Sequence, residues 1–259
     1  MAAPLRVWRE RDGRLLRVRL SRPKANIVDA EMIAALDAAF AEAARPAPGQ
    51  PAPRGVLLDH EGPHFSFGAS VEEHLPDRCA GMLRGFHALL LRMLELPVPI
   101  LVAVRGQCLG GGLELASAGG PIFAGRDARL GQPEIVLGVF APAASCLLPE
   151  RIGPAAAEEL LLSGRGLDAA EALRLGLVAA VADDPEAAAL GWFDEHLSKK
   201  SASSLGLALR AARGDLLDRV RTKLAAVEAL YLTRLMSTRD ASEGLAAFLE
   251  KRPARWEDR

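Results

Sequence analysis

The stretch that decides the fold is VRGQCLGGGLELAS, residues Val104 to Ser117. An apolar run typical of a buried strand ends at Val104, and three glycines then precede an apolar helical pattern. Glycine allows a ligand to approach the backbone closely, and the first amides of a helix have no intrahelical partner. Because those amides lie at the positive end of the helix, the turn is suited to a negatively charged oxygen. Glu114 lies in the first turn, where the alternative role is compensation of the helix dipole.

Two further segments carry candidate site residues. LGQPEIVLG, from Leu130 to Gly138, places Glu134 beside an apolar run, where a carboxylate needs a partner or a shifted pKa. The alternative for this residue is a glutamate at a strand edge that faces water. HFSFGASVE, from His64 to Glu72, follows an apolar strand pattern and exposes a Gly-Ala amide at the strand's carboxyl end, where α/β folds place ligands.

The rest of the chain alternates strand and helix signals up to about Pro185. Asp12-Gly13 predicts a hairpin turn between two short strands, and Asp29 is a candidate helix cap. The other predicted strands span residues 55–59, 100–104, 122–124 and 178–181, with another near Leu130, and a long helix spans residues 79–96. Beyond Pro185 the Ala, Leu, Arg and Glu pattern predicts only helices.

Composition excludes several classes of protein. The 259 residues include 32 Lys and Arg against 33 Asp and Glu, so the chain lacks the basic excess of a nucleic-acid binder. No apolar run approaches the ~20 residues of a membrane helix, and the amino terminus is too polar for a signal peptide. Three scattered cysteines fit a reducing compartment. We therefore expect a cytoplasmic protein that binds neither membrane nor nucleic acid.

In order and spacing, these motifs resemble the crotonase (enoyl-CoA hydratase/isomerase) superfamily. F-x-x-G-A is followed about forty residues later by G-G-G-x-E-L-A, and twenty residues separate Glu114 from Glu134 in G-Q-P-E. RPKAN at Arg22 to Asn26, LLSGRGLDAAEALRLGLV at Leu161 to Val178 and FLEKR at Phe248 to Arg252 are similar to other family segments. The resemblance covers about residues 5 to 253.

The resemblance implies an α/β fold, a crotonase-type spiral of ββα units with a C-terminal helical trimerisation region. Residues 1–196 would form the spiral core with the active site, and residues 197–259 the helical oligomerisation region. The implied partners are an acyl-CoA substrate and further copies of the chain, as a trimer or a dimer of trimers.

The resemblance also assigns roles to single residues. Glu114 and Glu134 would handle protons and water, and the backbone amides of Ala69 and Gly111 would form an oxyanion hole. The residues expected to contact CoA are Lys24, Ala25, Asn26, Ala69, Ser70, Val71 and Lys251, the last toward CoA of its own or of a neighbouring subunit. For Lys251 the alternative is a solvated lysine. No metal ion or redox cofactor is required, since coenzyme A is part of the substrate.

The segment after Glu134 departs from the usual family pattern. Where ordinary enoyl-CoA hydratases are rich in glycine, this chain has Phe140, Ala141 and Pro142, which would reshape the acyl pocket. Pro142 also has no amide hydrogen to donate. This segment resembles the cyclohexa-1,5-diene-1-carbonyl-CoA hydratase branch, which forms 6-hydroxycyclohex-1-ene-1-carbonyl-CoA in anaerobic benzoyl-CoA degradation. The alternatives are a general short-chain enoyl-CoA hydratase or isomerase, and a non-catalytic homologue that binds, for example, RNA.

Overall fold

The chain begins with the predicted hairpin. A computed structural model describes residues 3–46 and 48–259. Strands β1 (Leu5–Glu10) and β2 (Leu15–Leu20) pair antiparallel, and Gly13 takes the positive φ of 79° that the turn requires. The hairpin prediction from Asp12-Gly13 is thereby confirmed.

The hairpin forms one edge of a six-stranded sheet. Its strand order is β1-β2-β3-β4-β6-β9, and every pair after the first is parallel. The four further strands are β3 (Gly55–His60), β4 (Ile100–Val104), β6 (Ile122–Gly125) and β9 (Ala180–Ala182). The last strand lies two residues later than the predicted start at Val178.

A second, three-stranded sheet has the order β5-β7-β8. It consists of β5 (Gln107–Leu109), β7 (Arg129–Gly131) and β8 (Gly166–Asp168), with the first pair parallel and the second antiparallel. The sequence predicted β7 but missed β5 and β8. Strands of three residues are too short to show an alternating pattern, so their pairing depends on contacts distant in sequence.

Ten helices occur in the described part of the chain. They are α1 (Ala30–Ala44), α2 (Cys79–Glu95), α3 (Gly111–Ala118), α4 (Pro142–Ile152), α5 (Pro154–Ser163), α6 (Ala169–Arg174), α7 (Pro185–His196), α8 (Ala202–Arg213), α9 (Leu216–Thr233) and α10 (Arg239–Leu249). Short 3-10 turns cover Glu72–His74, Pro133–Leu137 and Leu235–Ser237. Asp29 caps α1 as predicted, since its side chain accepts from the amide of Met32 at 2.9 Å.

Both faces of the large sheet are covered. Successive side chains of a strand point to opposite faces, so Leu57 packs toward Phe193 of α7 while Leu58 faces the larger core under α1 and α2. This two-sided cover explains the continuous apolar strands in the sequence.

After β9 the chain contains only helices, as the sequence predicted. Helix α9 packs against α2 and α4 and buries Val220, Leu224 and Tyr231. The C-terminal helices therefore contribute to the core of this chain. A role of residues 197–259 in oligomer formation stays a prediction. Within residues 3–46 and 48–259 no helix has the length and hydropathy to cross a membrane.

Candidate active site

Glu114 is buried in the first turn of α3, and its carboxylate meets the start of another helix. Its Oε1 accepts a hydrogen bond from the amide of Ala144 at 2.7 Å. Ala144 lies in the first turn of α4, which opens with Pro142. A proline suits that first position because the helix supplies no acceptor for an amide there. The carboxylate of Glu114 thus lies at the positive, N-terminal end of α4. Pro142 does not remove this interaction, because the amide that binds the carboxylate belongs to Ala144.

Glu134 lies in the 3-10 turn Pro133–Leu137 and not in a strand, because β7 already ends at Gly131. The alternative of a strand-edge glutamate facing water is wrong. The side chain is turned toward Gly110, where an added Cβ would lie 2.5 Å from its Oε1. Gly110 also has a positive φ of 51°, so two separate constraints favour glycine there.

The two carboxyl groups share one electrostatic environment. Burial raises the pKa of Glu114 above its ordinary value, and hydrogen bonds from the amides of Ala144 and Ala143 oppose the rise. Burial also raises the pKa of Glu134, and the negative charge of Glu114 raises it further. Because ionising both at once is unfavourable, the pair favours one protonated and one ionised carboxyl near neutral pH.

Gln132 is a member of this site that the sequence reasoning missed. It is buried, and with its amide nitrogen turned toward the carboxylate it donates to both oxygens of Glu134, at 3.1 and 3.0 Å. In the opposite orientation the amide oxygen would face the carboxylate oxygens, which are also acceptors. The hydrogen-bond partners therefore assign the nitrogen to the side of Glu134. The available signal was its place in G-Q-P-E, two residues before Glu134.

The predicted oxyanion-hole amides lie side by side. A methyl group on Gly111 would lie 3.0 Å from the amide nitrogen of Ala69. Gly111 begins α3, and neither amide donates a hydrogen bond to the backbone of the described chain. The hydroxyl of Ser66 shapes this loop, because it accepts from the amide of Gly68 at 3.0 Å and donates to the carbonyl of Asn26 at 2.8 Å. The role of the two amides stays a prediction.

Two of the segments predicted to hold CoA lie next to each other. The amide of Phe67 donates to the carbonyl of Ala25 at 2.9 Å, and the amide of Val28 donates to that of Gly68 at 3.0 Å. The side chain of Asn26 is buried and donates to the carbonyls of Glu61 and His64, at 3.1 and 3.0 Å. Asn26 therefore joins the two loops through its side chain.

The remaining CoA candidates lie at or near the surface. Lys24 is exposed, Val71 is partly buried, and the carbonyl of Ser70 accepts from Nδ1 of His74 at 2.7 Å. Lys251 is exposed just after α10. The assignment of all these residues to CoA stays a prediction.

The predicted acyl-pocket residues lead into α4. Ala141 and Pro142 are buried, and Phe140 is partly buried. The ring of Phe140 meets the ring of Tyr231 edge to face, with centroids 5.2 Å apart. Tyr231 belongs to α9 in the C-terminal part of the chain, and no motif of the sequence pointed to its contact with Phe140.

Comparison with known proteins agrees with this geometry. A family model described as enoyl-CoA hydratase/isomerase matches residues 10–259. The chain belongs to the enoyl-CoA hydratase/isomerase family. The resemblance found in the sequence motifs is thereby confirmed.

The chain is similar to several named members of this family. The chain is 64% identical, over 100% of its length and 98% of the relative's, to cyclohexa-1,5-dienecarbonyl-CoA hydratase of Thauera aromatica. It is 31% identical to carnitinyl-CoA dehydratase of Proteus mirabilis, covering 95% and 96% of the two chains. The crystal structure of carnitinyl-CoA hydratase from Mycobacterium avium is 28% identical and superposes with a TM-score of 0.84 over 100% of both chains. The predicted fold class is confirmed.

Proposed function

We propose that this chain adds water to cyclohexa-1,5-diene-1-carbonyl-CoA and releases 6-hydroxycyclohex-1-ene-1-carbonyl-CoA. The observation that carries the proposal is the 64% identity, over the whole chain, to the Thauera aromatica protein of that name. The pair of carboxyl groups with raised pKa values supports it, because hydration of a conjugated thioester needs one group to take a proton from water and another to supply one to carbon.

The ring chemistry defines what the site must do. The electrophilic carbon is C2 of the ring, which is conjugated with the thioester carbonyl through C1. When the water oxygen bonds to C2, the electrons of the first double bond move toward C1 and the carbonyl oxygen. A proton then adds to C5, the second double bond shifts to lie between C6 and C1, and the product is the hydroxycyclohexene thioester. Negative charge builds on the thioester oxygen between these two events.

The residues of the site match these steps. In the proposed mechanism the amides of Ala69 and Gly111 stabilise the charge on the thioester oxygen, each by about 3 kcal/mol as in other oxyanion holes. The ionised member of the pair Glu114 and Glu134 takes the proton from water, and the protonated member supplies the proton to C5. The raised pKa of both carboxyls supports a protonated donor near neutral pH.

The wall of the acyl site supports a flat ring. Ala141, Ala143 and Ala144 are small and buried around the start of α4, and Pro142 fixes the backbone between them. Small side chains at these positions add little bulk beside Glu114, which suits a flat six-membered ring.

The test is a panel of acyl-CoA thioesters with identification of the products by mass spectrometry and NMR. We expect the cyclic dienoyl thioester to be hydrated with a higher kcat/KM than crotonyl-CoA. A strong preference for crotonyl-CoA would overturn the cyclic assignment and favour the general short-chain hydratase. Binding of CoA thioesters without turnover of any of them would favour the non-catalytic binding protein.

We also infer a homo-oligomer in the cytoplasm. Leu230, Phe248 and Leu249 on the last two helices are exposed apolar side chains, which a subunit interface would cover. Cys79, Cys108 and Cys146 are buried and unpaired, as expected in a reducing compartment.

A further inference from the structure

Tyr231 has a buried hydroxyl without a partner. The residue lies in α9 and is 0% exposed, and its hydroxyl forms no hydrogen bond within the described chain. Leaving such a group unsatisfied costs about 1–3 kcal/mol, whereas a phenylalanine would fill the same space without that cost. The hydroxyl is therefore free to meet a polar group that arrives with a ligand, provided that the residue lies next to the site.

The tyrosine ring lies against the segment that leads into the candidate site. It packs on Phe140, two residues before α4, and the amide of Ala144 in α4 binds Glu114. Burial raises the pKa of the Tyr231 hydroxyl, and the Cys79 thiol and the carboxyls of Glu134 and Glu114 raise it further. These electrostatic effects agree with the position of the ring on Phe140, which places Tyr231 next to the segment that leads to Glu114.

We propose that Tyr231 is a substrate-positioning residue whose hydroxyl donates a hydrogen bond to the oxygen of the water that adds to the ring. This inference rests on the proposed function, in which that oxygen becomes the hydroxyl of the product. The unsaturated substrate carries no such hydroxyl, so the contact exists only with the water and with the hydroxylated product.

Physical chemistry assigns Tyr231 the part of donor. Its raised pKa keeps the phenol protonated throughout the working pH range, so it does not compete with the carboxyls as a base. A water molecule that gives its proton to a carboxylate must still direct an oxygen lone pair at the ring. A second, fixed hydrogen bond to that oxygen limits its orientations and raises the fraction of productive encounters.

The test is Tyr231→Phe, which keeps the ring and removes only the hydroxyl. We expect kcat for hydration to fall about 10- to 100-fold, the range expected for losing one hydrogen bond in the transition state. The KM for the unsaturated thioester should stay unchanged, whereas the KM for the hydroxylated thioester in the dehydration direction should rise. The Tm should be unchanged or higher, since an unsatisfied buried hydroxyl has been removed.

Ser117→Ala is the matched control. Ser117 has the same kind of buried, unpartnered hydroxyl within the described chain but lies near the opposite end of α3 from Glu114, so its removal should leave both KM values and kcat unchanged. Equal kinetics for Tyr231→Phe and the wild type would overturn the inference alone. A loss of kcat that accompanies a lower Tm, with both KM values unchanged, would also overturn it by indicating a structural role. A wild type that hydrates no thioester overturns the proposed function and this inference with it.

Discussion

Glu114 is buried and Glu134 is partly buried, and neither carboxyl group has a cation beside it. Neither forms an ion pair with a Lys or Arg among the residues that the structure describes, although that part of the chain has many such pairs. Charged groups that are buried without a counter-ion are expensive for the fold and are typical of sites that move protons. The two residues that the sequence singled out are therefore not held by unrelated ion pairs.

Glu134→Gln should remove catalysis while the fold and thioester binding remain. The amide has nearly the same shape but neither releases nor accepts a proton in the working pH range, so we expect kcat to fall about 10²- to 10⁴-fold. Steady-state kinetics and equilibrium binding of a saturated acyl-CoA measure the two effects. Glu158→Gln, at an exposed position of α5, is the control and should retain activity. Undiminished turnover by the Glu134 variant would mean that the site has been assigned wrongly.

The same variant should also show how ionisation of Glu134 lowers the unfolding free energy of the wild type. Because the folded-state pKa of Glu134 lies above its unfolded value, the folded protein binds the extra proton between those two pKa values. Wild-type stability therefore falls as pH rises through that window. The difference in unfolding free energy between Glu134→Gln and the wild type should grow by about 1 kcal/mol or more from pH 5 to pH 8. Urea unfolding at the two pH values measures it, and a constant difference would contradict the raised pKa.

At the scale of elements, the site depends on the junction of β5, α3 and the turn that carries Glu134. Gly110 has φ 51° and ψ −128°, and the carboxyl of Glu134 occupies the space that a side chain there would need. Gly110 therefore affects two parts of the site. It sets the position of Gly111, the first residue of α3, and it leaves space for the carboxyl of Glu134.

Comparing Gly110→Ala with Gly214→Ala distinguishes the effect of backbone strain from the effect of displacing Glu134. Gly214 has nearly the same conformation, φ 48° and ψ −121°, but no atom within 4 Å of an added Cβ. Both variants should lose about 1–3 kcal/mol of stability from strain. Only Gly110→Ala should also lose about 100-fold in kcat, because it displaces Glu134. Equal activity in the two variants would show that the position of Glu134 does not depend on Gly110.

A second element-scale prediction concerns the end of α3. Arg151 of α4 donates to the carbonyl of Ser117, from Nε at 3.0 Å and from Nη2 at 2.6 Å, and also to the carbonyl of Gly119. A cation at this end satisfies carbonyls that the helix leaves unpaired and complements its dipole. The arginine thus ties α3, which carries Glu114, to α4, which holds its carboxylate.

Arg151→Met should therefore lower the unfolding free energy by about 1–3 kcal/mol, because buried carbonyls lose their donor. Chemical denaturation of the purified variant measures this. Arg126→Met is the control, since Arg126 pairs with Asp183 at the surface and should change stability by no more than about 0.5 kcal/mol. If the two variants unfold at the same denaturant concentration, the hydrogen bonds of Arg151 to α3 make no measurable contribution to the unfolding free energy.

At the scale of the whole molecule, the large sheet brings distant segments to one place. Parallel strands β3 and β4 each end near the loops that carry Ala69 and Gly111, so their carboxyl ends converge on the candidate oxyanion site. Helix α9, from the C-terminal part of the chain, places Tyr231 against Phe140, in the segment that leads into α4.

The oligomer prediction belongs to this scale. We expect light scattering after size exclusion to give three or six times the 27.5 kDa of one chain. Leu230 and Phe248 are 51% and 52% exposed on α9 and α10, so changing both to Glu should lower the mass by placing charges in the interface. Leu173→Glu on α6, outside the C-terminal helices, is the control and should leave the mass unchanged. A wild-type monomer would contradict the prediction.

The sequence predicted the elements and the two carboxyls because their signals are local. A cap such as Asp29, a turn such as Asp12-Gly13 and an apolar period each lie within a few neighbouring residues. The family motifs added the pairing of Glu114 with Glu134. The strands β5 and β8 were missed because three residues have no period, and only their contacts with β7 define them.

What the sequence by itself determined is therefore the order of elements, the family and the residues around each glycine turn. Only the tertiary structure decided that Ala144, thirty residues after Glu114, donates to it, and that Gln132 faces Glu134. It also decided that the tyrosine of α9 packs against Phe140, more than ninety residues earlier in the chain. The physical reason is that burial and hydrogen bonding arise from packing between segments far apart in the chain, which no local pattern of residues encodes.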